Sequence, residues 1–85
     1  MKLKDDFIVY TSGEEKMLIS VSGAFNGMVK LNPSAGYIVE LLKNEINYEE
    51  IVTAMLNKYA ADRTIIEQDV KDVITQLKQI GAISE

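Results

Sequence analysis

The sequence predicts an α+β domain in which a three-stranded antiparallel sheet is followed by three helices. Three observations carry that expectation. Runs of β-branched and aromatic residues separated by turn residues fill the first third of the chain. Apolar residues recur at helical spacing through the remainder. The single Pro and the five Gly punctuate these runs, with no low-complexity segment and no internal repeat, so residues 1–85 read as one domain.

Phe7-Ile8-Val9-Tyr10-Thr11 is the first expected strand. Ser12-Gly13-Glu14-Glu15 supplies a turn, and Lys16 to Val21 returns as the second strand of a hairpin. Ser22 to Gly27 ends in Asn26-Gly27, a pair suited to turns that need positive φ, before a short third strand, Met28-Val29-Lys30-Leu31. Asn32 is placed to cap the first helix, with Pro33 at the first position, where a missing N–H costs nothing. Ala35, Ile38, Val39, Leu41 and Leu42 give that helix its apolar side. Asn47-Tyr48-Glu49-Glu50 has the form of a capping box, and Ile51, Val52, Met55, Leu56 and Tyr59 make the second stripe. Asp62 is the expected cap of the third helix, whose stripe runs through Ile66, Val70, Val73, Ile74, Leu77 and Ile80. Gly81 stops it, and Ala82-Ile83 follows as a short packed tail. So small a sheet must lay its apolar face on the helices, which gives a winged-helix-like arrangement.

Eighty-five residues with 47% apolar content bury one modest core. The net stability of such a domain is roughly 5 kcal/mol, which argues against hollowing the core into a deep polar pocket. The chain has no Cys, His or Trp. Thiolate or imidazole zinc sites, thiol nucleophiles and Ser-His-Asp relays are therefore excluded within it. Glu49 and Glu50 lie in a first helical turn, where negative charge suits the dipole. Glu67, Asp69 and Asp72 share a helix with Lys71 and Lys78, the pattern of a solvated face, and no loop has the ligand spacing of a hard-cation site. No catalytic residue, metal or cofactor is expected, and the chain reads as a binding module rather than an enzyme. Without a signal-like apolar stretch or a segment of membrane-spanning length, the expected location is the cytoplasm, with no membrane partner.

Charge is unevenly placed. Residues 1–31 carry four cations and four anions, so the net charge of −4 lies in residues 32–85, the helical part. That balance argues against nucleic acid, whose phosphates call for clustered Lys and Arg. One feature points outward. In a 1-2-3 meander the third strand is an edge, with backbone groups unpaired along Met28 to Leu31. Lys30 is either a guard against unwanted pairing or part of a site where another chain adds a strand.

Gly27-Met28-Val29-Lys30-Leu31-Asn32-Pro33-Ser34-Ala35-Gly36-Tyr37-Ile38-Val39-Glu40-Leu41-Leu42 resembles the matching segment of the PqqD family, named for pyrroloquinoline quinone biosynthesis protein D. Tyr48-Glu49-Glu50-Ile51-Val52 resembles the family's second helix start, and Asp69-Val70 through Leu77 to Gly81-Ala82-Ile83 its third helix and ending. The resemblance covers nearly the whole chain and departs from the pattern at Val39, where many relatives carry Trp. It implies a chaperone that binds the leader of a ribosomally made precursor peptide and presents it to a modifying enzyme, often a radical S-adenosylmethionine enzyme. It further implies that the leader adds as a strand to the third strand and lies against the third helix. Carried over by position, Met28, Val29, Lys30 and Leu31 form the pairing edge, and Ile66, Asp69, Val73 and Gln76 line the groove. Ile66 and Val73 have plain core packing as their alternative reading, and Asp69 an ordinary solvated acid. Two other readings stand beside this one. The first is a winged-helix DNA-binding or regulatory protein, which a gel shift at low salt would separate. The second is an assembly subunit whose exposed edge forms a homodimer.

Overall fold

The structure is a computed structural model, and it describes residues 1–21 and 28–83. The expected Asn26-Gly27 turn therefore lies outside the described residues.

β1 (Phe7–Ser12) and β2 (Glu15–Ser20) form an antiparallel hairpin in register from Phe7↔Ser20 to Ser12↔Glu15. That register leaves Gly13 and Glu14 as a two-residue loop. Gly13 has φ +62°, the positive value that the first loop position of a type II′ turn requires and that glycine adopts without a steric penalty. β3 (Met28–Leu31) pairs antiparallel with β2, from Ile19↔Met28 to Lys16↔Leu31. The strand order is β1-β2-β3, which makes β3 an edge as the sequence order implied.

Three helices follow: α1 (Pro33–Leu41), α2 (Tyr48–Lys58) and α3 (Arg63–Gln79). Asn32 caps α1 by accepting from the Ala35 N–H at 2.8 Å, and Pro33 starts the helix as expected. At α2 both halves of the capping box are made. Asn47 accepts from the Glu50 N–H at 2.8 Å, and the Glu50 carboxylate accepts from the Asn47 N–H at 3.0 Å. Asp62 occupies the cap position of α3 with extended backbone, but its side chain makes no capping hydrogen bond. Gly36, expected at a break, lies inside α1. A Cβ there would come within 3.1 Å of the Lys16 side chain, so its smallness serves the approach of α1 to β2.

Side chains alternate across the sheet. Phe7, Val9, Leu18 and Val29 face the helices, and Leu18 is 1% exposed. The helices close over them with Ile38, Val39, Leu42, Ile51, Val52, Met55 and Val70, all fully buried. Chain ends clasp the same core. Leu3 donates its N–H to the Leu42 carbonyl and bridges to Ile83, while the Lys4 N–H bonds Ala82. Ala82 and Ile83 are buried, so the expected tail packs, and Leu3 joins them as a core residue from outside any regular element. The opposite face of the sheet carries Ile8, Tyr10, Met17, Ile19 and Met28 in adjoining rows, with Ile8, Tyr10 and Met28 about half exposed. No element among the described residues covers it. Nor is any described helix long and apolar enough to cross a membrane.

Candidate functional site

α1 is the wedge that builds the site. It packs on β2 and β3 from one side and on α3 from the other, while β3 and α3 have little direct backbone contact. A groove remains between the free edge of β3 and the length of α3, with Ala35 of α1 on its floor.

The groove has two adjoining parts. One, a cavity of about 180 Å³, is lined by Val29, Leu31, Ala35, Val73, Leu77 and Ile80, with Gln76 and Gln79 at its rim. The other, about 430 Å³, is lined by Lys30, Leu31, Asn32, Ser34, Ala35, Asp69, Asp72, Val73 and Gln76. Leu31, Ala35, Val73 and Gln76 belong to both, so the parts form one channel. Of the residues expected at the site, Val29, Lys30, Leu31, Asp69, Val73 and Gln76 are brought together here. Met28 is exposed on the same strand, its side chain on the outer face of the sheet. Ile66 is not in the groove. It is 3% exposed, in line with Val70, Ile74 and Leu77 on the buried stripe of α3, and it lines neither cavity.

Sequence reading did not place Asn32, Asp72, Leu77, Gln79 and Ile80 in the groove, nor the α1 contributions Ser34 and Ala35. Helical spacing from Val73 and Gln76 places Asp72 and Ile80 on the same flank of α3, a signal that was present. The α1 residues enter through its packing against the sheet, for which no local signal exists.

Electrostatics differ along the channel. Asp69 and Asp72 are exposed on α3, and neither makes a salt bridge among the described residues. Asp72 accepts from the Gln68 amide at 2.9 Å. The Lys30 ammonium is turned to Glu15 at 3.3 Å. Further along, Leu31 and Asn32 also border a cavity of about 240 Å³ with Lys16, Tyr37, Lys58 and Tyr59. There Lys58 lies 4.9 Å from the Tyr37 ring centre, and the two tyrosine rings meet edge to face at 6.4 Å. Among the described residues no group of three or more acidic side chains is placed to hold a metal ion.

The family described as coenzyme PQQ synthesis protein D matches residues 13–83. The chain belongs to the PqqD family. Two solved structures share the PqqD-like fold seen here. "TbiB1 in Complex with the TbiA(beta) Leader Peptide" is 25% identical, covers 100% of both chains and superposes with a TM-score of 0.79. "Lasso peptide synthetase B1 complexed with the leader peptide" is 22% identical, covers 94% of this chain and 92% of the other, and has a TM-score of 0.77. No match was found among curated proteins.

Proposed function

We propose that this PqqD-family protein is a peptide chaperone: it binds the leader of a ribosomally made precursor peptide by strand addition at β3 and presents it to a separate modifying enzyme. The observation that carries the reading is the unpaired edge of β3 lying beside a groove walled by α3. An added strand finds backbone partners on the edge and space for alternate side chains in the groove, the two ingredients of this recognition mode. Support comes from TbiB1, whose structure is described as a complex with a leader peptide and which matches this chain along its full length.

In this reading the protein is not an enzyme. It supplies orientation and effective concentration, and the chemistry belongs to the partner. A radical S-adenosylmethionine enzyme fits that role, and the encounter takes place in the cytoplasm, where ribosomal precursors are made. A homodimer through the free edge would compete with the peptide for the same backbone groups. DNA binding finds no support in the groove, because α3 presents Asp69 and Asp72 to solvent where phosphates would have to lie.

Lys30→Pro tests the edge. The two-residue loop makes Ser12 and Glu15 a hydrogen-bonded pair, and alternation from there turns the Val29 and Leu31 backbone groups to β2 and those of Met28 and Lys30 to the free side. Proline at position 30 removes an outward N–H and bends the strand. Titration with the cognate leader should show binding lost in this variant. Unchanged affinity would mean that the peptide does not add at β3.

A further inference from the structure

The two parts of the groove differ in chemistry and lie in a fixed order. Val29, Leu77 and Ile80 border only the apolar part, whereas Asn32, Asp69 and Asp72 border only the polar part. β3 thus runs from the apolar part towards the polar one, and α3 runs the opposite way.

The polar part is short of positive charge. Lys30 is the one cation among its lining residues, and its ammonium is held by Glu15 on the outer face of the sheet. Among the described residues Asp72 is engaged only by the neutral Gln68 amide, and no Lys or Arg forms a salt bridge with Asp69. An occupant with a cation there gains two carboxylate partners. An occupant with an acid there meets like charge.

Spacing fixes where that cation belongs. Inward side chains of an extended strand repeat every two residues, or about 7 Å. Along α3, Leu77 lies five positions and about 7.5 Å beyond Asp72, and eight positions and about 12 Å beyond Asp69. These distances correspond to two and four residues of strand.

We infer that the groove selects peptides with an apolar anchor in the Val29–Leu77–Ile80 part and a Lys or Arg two or four residues from it, towards Asn32. The inference rests on strand addition at β3 and adds the chemistry of the occupant. A peptide antiparallel to β3 places the cation N-terminal to the anchor, and a parallel one places it C-terminal.

A random-peptide display library selected on the full chain, with the Lys30→Pro protein, which lacks an outward N–H of β3, as counter-target, tests this. Enriched peptides that fail on the counter-target should pair an apolar residue with Lys or Arg at one of the two spacings. A synthetic peptide of that kind should lose about tenfold in affinity on the Asp69→Lys, Asp72→Lys double variant. Replacing its cation with Glu should restore the loss, which also shows that the variant is folded. Edge-dependent peptides with no positional preference for a cation, or indifference to the charge reversal, would overturn the inference and leave strand addition standing. If no edge-dependent peptide is recovered, strand addition and this inference fall together.

Discussion

Glu40 sits where two cations from different elements meet. Lys43, three residues on, approaches its carboxylate to 3.1 Å, and Lys16 reaches it from β2 at 3.4 Å. Partial burial acts to raise the Glu40 pKa, but the two lysines together outweigh it and hold the carboxyl below its ordinary range. A group with a depressed folded pKa contributes stability above its unfolded pKa and loses it as pH falls through the folded value. Glu40→Gln should therefore destabilise the protein by about 0.5 kcal/mol at neutral pH. The difference between variant and parent should close on acidification below the carboxylate range, as denaturant melts across pH would record. The Lys43 contact follows from helical spacing. The Lys16 contact joins residues 24 apart and became visible only when α1 was laid on β2. Ile66 makes the same point about the groove. Helical spacing alone does not say which flank of an apolar stripe faces the core, and the stripe through Val70 and Ile74 took Ile66 inward.

At the scale of elements, α2 was the most legible because its start is specified within four residues. The reciprocal bonds between Asn47 and Glu50 satisfy two first-turn donors, and Arg63 at the start of α3 adds an exposed pair to Glu49 at 2.8 Å. Asn47→Ala should lower stability by about 1 kcal/mol, read as a fall in denaturant midpoint with unchanged slope. The same residue-type reading at Asp62 gave the right helix boundary without the cap bond. An aspartate can mark a cap position through its backbone conformation alone. The edge character of β3 followed from element order, since three consecutive antiparallel strands place the third outside.

For the molecule as a whole, alternation and helical periodicity were enough to give the order of elements and the layering of sheet on helices. They were not enough to give the clasp of Leu3 with Leu42 and Ile83, where short segments from the two ends of the chain meet without regular structure of their own. Nor could they give the depth of the groove, which depends on how far α1 holds β3 from α3. Of the residues expected at the site, Val29, Lys30, Leu31, Asp69, Val73 and Gln76 border the groove while Met28 and Ile66 do not, and Asp72, Leu77 and Ile80 were passed over.

The face of the sheet that no described element covers gains a new meaning if β3 accepts a strand as proposed. Alternation sends every second side chain of the guest into the groove and turns the others out beside Met28 and Lys30. Substitution along a seated peptide should accordingly show a two-residue rhythm in affinity, with the outward positions indifferent. Those outward positions are not idle. They extend the rows of Ile8, Tyr10, Ile19 and Met28 by one strand, so an enzyme reading this face would distinguish a loaded carrier from an empty one by touching its own substrate.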